Sequence, residues 1–255
     1  MTTAIRSTAT QRATKRAPMT SMRRTALIAG LFYLITFVSI PTLALYGPVH
    51  DADYITGHGS NNAVIVGGIL ELIVGLAGIG TAIALYPVVK RQSEWRALGF
   101  VGARVLEAAG IFAGVASILT IVSLRQDGAG TDALVTGQAL IAFYDSMFLV
   151  SQGFIPAVNA LLLGSLLYQS RLVPRALPML GFVGAVLLVT SGGASLFGLW
   201  DRVSAMAAIS ALPIAVWEFG LGLWLTFKGF NAAAITSESA SAERSETGNL
   251  RTALS

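Results

Sequence analysis

Apolar positions along this chain collect in six long runs, near 26–46, 63–89, 97–124, 137–168, 177–200 and 203–227, each with few or no charges. A run of about 20 apolar residues is long enough to cross the hydrocarbon core of a bilayer as a helix. Lipid offers no hydrogen-bond partners to backbone N–H and C=O groups, so such runs must be helical. The pattern therefore predicts an all-α polytopic integral membrane protein, a bundle of six transmembrane helices over 25–230. Breakers mark the ends of the runs: Gly47-Pro48, Pro87, Asp127-Gly128, Pro174 and Asp201. A basic tail, 1–24, and a Ser-, Glu- and Ala-rich tail, 231–255, are expected to be disordered. The first run is too long for a signal-peptide core and is read as an uncleaved anchor.

Charge supplies the orientation. Of the 17 cations, fourteen fall before run 1, between runs 2 and 3, between runs 4 and 5, or after run 6. Only Arg125 and Arg202 fall on the other side, and Arg104 lies within a run. The positive-inside rule then places both termini of this multi-pass chain in the cytoplasm. Tyr46, Tyr86, Trp95, Tyr168 and Trp200 fall where an interfacial aromatic belt is expected. The net charge of +4 is explained by these membrane-edge cations, so the lipid bilayer is the expected partner and nucleic acid is not. A membrane-protein partner or a second copy of the chain is the expected protein contact. The absence of cysteine excludes disulfides, thiolate zinc sites and cysteine nucleophiles.

Candidate chemistry rests on the ionisable residues inside the runs, because a charge at the bilayer centre costs roughly 2.5–3.5 kcal/mol unless it meets a partner or a cavity. Arg104 and Glu107 are three apart and share a helix face. With Glu218 at a similar depth they are expected to form an intramembrane charge network clamping runs 3 and 6. Glu71 and Asp145, assigned a common depth in the other half of the membrane with no cation at their level, are expected to face each other. Gln138, Asp145, Gln152 and Asn159 are each seven apart, which on a continuous helix returns to within about 20° of one direction. They predict a polar ladder, a candidate path or ligand-binding face directed to the bundle interior, with a kink at Pro156. Glycines beside these residues, such as Gly67, Gly75, Gly110, Gly192 and Gly193, are read as packing contacts. His50, Asp51, Asp53 and His58 match no zinc spacing, so no metal, cofactor or catalytic residue is expected.

Two stretches carry a resemblance. Arg171-Leu172-Val173-Pro174-Arg175-Ala176-Leu177 running into Leu180-Gly181, and Glu218-Phe219-Gly220-Leu221-Gly222-Leu223-Trp224-Leu225-Thr226-Phe227-Lys228-Gly229-Phe230, are similar to the basic proline loop and the closing Glu, Trp-Leu, Lys-Gly pattern of a bacterial membrane-protein family known as a domain of unknown function, number 4386. The pair Arg104 and Glu107 also fits. The resemblance covers about 25–230 and implies six spans, a multi-pass place in the inner (plasma) membrane and no established activity. The favoured reading is an accessory or regulatory inner-membrane protein and not an enzyme. The alternatives are a small-solute or proton-coupled transporter with its path along the fourth helix, and an intramembrane enzyme.

Overall fold

The computed structural model describes residues 17–57, 60–231, 233 and 234, and among these every regular element is helical. Helix α1 spans Ala17–Ile35, α2 Thr42–Leu45, α3 Asn62–Val89, α4 Glu94–Gln126, α5 Leu134–Gly153, α6 Ile155–Ser170, α7 Ala176–Leu196 and α8 Ala205–Phe227. Six segments are long and apolar enough to cross a membrane, with α5 and α6 forming one of them. Because the loops at the basic end are short, successive spans run antiparallel, and they pack in sequence order around a ring: α1, α3, α4, α5–α6, α7, α8 and back to α1. The outward faces are apolar. Leu76, Ile83, Leu106, Val186 and Leu212 are each more than half exposed, the pattern of a surface solvated by hydrocarbon.

Two spans are interrupted where a straight helix was expected. Span 1 leaves α-geometry at Ile35, passes through a 3₁₀ turn at Thr36–Ser39, and restarts as α2 after Pro41. Pro41 has no N–H to give and its ring opposes the carbonyl four residues back, so run 26–46 cannot continue as one helix. Span 4 breaks at Phe154 (φ −121°, ψ −44°), with Pro156 in the first turn of the restarted helix. A seven-residue spacing no longer measures one face across such a break. At the other end of span 1, α1 begins at Ala17, inside the stretch expected as a tail, and takes in Arg23 and Arg24. Arg23 donates to the carbonyls of Leu225 (2.9 Å) and Thr226 (2.6 Å), which the end of α8 leaves without helical partners. Residues 1–16 and 235–255, which hold most of the two expected tails, and His58 of the first loop lie outside the described residues.

The spans are stitched by glycines. A Cβ on Gly30 would stand 2.6 Å from the Thr226 backbone N, and one on Gly184 would stand 2.6 Å from the Ile214 backbone N. These are backbone-to-backbone approaches that only glycine allows, the usual means of close helix contact in lipid. Below the middle of the ring the interior is solid: Tyr33, Leu85, Phe100, Leu163, Trp217 and Leu221 form one buried cluster.

Gly184→Ala is expected to destabilise the α7–α8 contact by about 1–3 kcal/mol, since the obstacle is rigid backbone. Gly193, although expected to pack, has no atom within 4 Å of a would-be Cβ. Gly193→Ala should therefore leave the melting temperature in detergent unchanged while Gly184→Ala lowers it.

Candidate functional site

The polar interior is arranged in tiers. Counting about 1.5 Å per residue from the basic end, Arg104, Glu218 and Asn159 lie about 14–17 Å in, Glu107 about 20 Å, Glu71 and Gln152 about 27 Å, and Asp145 about 37 Å. The hydrocarbon core is about 30 Å thick. The first group is thus at mid-membrane, the second near the far boundary, and Asp145 beyond it.

At mid-membrane, Arg104 (3% exposed) donates to Glu107 Oε2 at 2.9 Å and to Glu218 Oε1 at 2.5 Å. Its Nη2 also reaches Tyr33 Oη at 3.4 Å, and the guanidinium stacks over the Tyr33 and Phe100 rings. Asn159 Nδ2 donates to Glu107 Oε2 at 2.7 Å. Four spans thereby contribute to one cluster. Two buried polar atoms keep no partner, Arg104 Nε and Asn159 Oδ1.

Over this cluster lies a cavity of about 220 Å³ with lining from every span, including Phe37, Gly75, Glu107, Gln152, Leu188 and Glu218. Gln152, Leu188 and Ala211 also wall a second, more apolar cavity of about 300 Å³ between α5, α7 and α8. That cavity shares Arg202 and Val203 with a third, about 240 Å³, beside Tyr46, His50 and Tyr144 at the loop end. Shared lining residues thus place the three one after another from the loop end to mid-membrane.

Glu71 occupies the middle tier. It is 4% exposed and accepts hydrogen bonds from Tyr144 Oη (3.1 Å) and Tyr46 Oη (3.3 Å), with the Gln152 side chain nearby. The expected approach of Glu71 to Asp145 does not occur. Asp145 instead pairs with Arg202 from the α7–α8 loop and, at 3.5 Å, with His50 Nε2. The depth assigned to Asp145 was too great, because span 4 runs well past the membrane at its loop end. Gln138, at that same end, is exposed, so the four-residue ladder does not face the interior as a unit; Gln152 and Asn159 do. Tyr46 is likewise no belt residue. It is 1% exposed, its ring lies where a Gly67 side chain would be, and it meets Tyr144 edge to face at 5.3 Å.

The residues that sequence reasoning missed are Tyr33, Tyr46, Tyr144, His50 and Arg202. A signal existed for Tyr33 and Tyr144. Each sits well inside an apolar run, and a buried phenol needs a polar partner.

Arg104→Ala should cost about 3–5 kcal/mol, because it leaves two buried carboxyls unmatched. Arg104→Met combined with Glu107→Gln should recover part of that loss, measured as thermal unfolding in detergent. At the loop end, hydrogen bonding to Asp145 raises the His50 pKa above its ordinary 6.5, against the opposing effect of burial. A raised folded-state value means that the His50–Asp145 contribution is complete below about 6.5 and is lost as pH rises through the folded value. The melting temperature should fall over that window, and His50→Gln should remove this component of the pH dependence.

No significant match is found among curated proteins or solved structures. A family model described as a domain of unknown function (DUF4386) matches residues 28–229, which takes in all six spans and every tier of the interior. The chain is a multi-pass, all-helical member of that family.

Proposed function

We propose that the protein is a small-solute carrier whose binding site is the mid-membrane cavity floored by Arg104, Glu107 and Glu218. The observation that carries this reading is the cavity itself: all six spans line it, and its polar floor lies at a depth where every charge is costly. A purely structural clamp would be expected to pack its ion pairs in protein on all sides. Here Glu107 and Glu218 keep about 11% and 18% of their side chains open. The membrane is taken as a bacterial inner membrane from the family resemblance, with both termini cytoplasmic from the placement of the cations.

A second reading follows from the solid cluster beneath the site. An accessory or regulatory protein that senses a ligand needs access from one side only, and the cavities described above run from the site toward the loop end.

Cysteine labelling separates the two readings, since the chain has no cysteine of its own. Ala211→Cys, at the junction of the first two cavities, should react with small water-soluble thiol reagents in oriented proteoliposomes. A carrier exposes it to both sides in turn, whereas a sensor exposes it from the loop end alone. Failure to label from either side, in folded protein, would remove the cavity from consideration as a binding site.

A further inference from the structure

We propose that the site takes an organic ammonium ion with an apolar body, and that this cation and a proton occupy the Glu107–Glu218 pair in exchange. The inference rests on the reading of the cavity as a binding site and adds the chemistry of the occupant.

Three features select the class. The first is charge count. Glu107 and Glu218 are both within ion-pair distance of Arg104, and among the described residues no other cation reaches either. Two carboxylates against one permanently charged guanidinium leave one negative charge to be neutralised at mid-membrane. A shared proton or a bound cation can do this; an anion would add to it. The groups around the pair do not alter the count. Tyr33 on α1 and Asn159 on α6 are neutral, Glu71 on α3 is acidic and one tier away, and α7 presents Leu188. The second feature is that Glu107 and Glu218 both line the cavity and keep part of their side chains open, so an N–H of the ammonium group can reach a carboxylate oxygen. The third is the company of the site. Phe37 lines the cavity, offering the ring face that cations favour. The adjoining 300 Å³ cavity, walled by Phe148, Leu149, Leu188 and alanines of α8, accommodates an apolar body attached to the ammonium.

The step is an acid–base exchange. The protonated carboxyl of the pair loses its O–H proton to solvent, and the ammonium ion takes its place beside the resulting carboxylate. No bond of the ligand is made or broken, and one positive charge leaves as one enters.

Titration calorimetry in lipid nanodiscs tests this with 2-phenylethylammonium, its neutral counterpart 2-phenylethanol and the anion benzenesulfonate. The ammonium should bind at least about tenfold more tightly than the alcohol, and the sulfonate should not bind. About one proton should be released per ammonium bound, read from the dependence of the heat on buffer ionisation. Its affinity should rise about tenfold per pH unit while the pair still holds a proton, as linkage requires. Glu218→Gln should abolish proton release and flatten the pH dependence. The Glu107→Gln variant provides the same readout should the first fail to fold. Equal binding of the alcohol, or ammonium binding without proton release, overturns the assignment. So does binding of no probe while Ala211→Cys still labels, a result that leaves the cavity reading standing. Absence of labelling brings down the cavity reading on its own.

Discussion

A guanidinium held near the middle of a bilayer governs this structure. Arg104 stays protonated under any ordinary condition, so the fold must bring counter-charge to it. Glu107 arrives from the same helix, three residues on, at no topological cost. Glu218 arrives from the last span, and Asn159 and Tyr33 from two others. A ring in which span 6 returns to span 1 places these groups around a common centre. The glycines that let α1 approach α8, and α7 approach α8, bring the backbones close enough for the side chains to meet. In lipid there is little hydrophobic drive between helices, so close packing and such polar contacts set the arrangement.

The breaks in spans 1 and 4 shape what lies above that centre. Had run 26–46 continued straight through Pro41, Tyr46 would have stood at the membrane edge. Turned inward by the 3₁₀ turn at Thr36–Ser39 and by α2, it reaches Glu71 instead, and Gly67 leaves room for its ring. The break at Phe154 separates the upper and lower halves of span 4. The lower half packs closely on α7, where the Phe182 ring fills the space beside Gly164 and Phe154 that beside Gly192. The upper half makes few contacts with α7, and the apolar cavity occupies the space between them.

What the sequence disclosed divides along the same lines. Span number and helical class were legible because length and apolarity decide them, with no tertiary information needed. Arg104–Glu107 was legible because three-residue spacing fixes adjacency on one helix, and Glu218 because its depth could be counted from a span end. The errors concerned Asp145, Gln138 and Tyr46. Each came from treating a run as one straight helix ending at the membrane surface. Run 4 is much longer than a bilayer requires and is broken, so its outer end does not mark the membrane surface and no face could be carried along it from Pro156 to Gln138. Arg202 was counted as a loop cation on orientation grounds. Its role beside Asp145 depends on where the loop folds back, which no local pattern encodes.

The three tiers also differ in charge, and the difference has a direction. At the loop end Asp145 is matched by Arg202 and faces His50, so that level is neutral or positive. In the middle, Glu71 is held by two phenols, which solvate a carboxyl without adding positive charge. At mid-membrane one cation faces two carboxyls. Both inner levels therefore hold one acid more than they hold cations, unlike the loop end, in surroundings where screening by salt is weakest. Such a difference favours cations over anions past the loop end without requiring a narrow pore. It also gives the middle tier a physical role: donors placed around Glu71 stabilise a carboxyl at the membrane boundary, so that positive charge meets polar groups before it reaches the carboxyls that hold it.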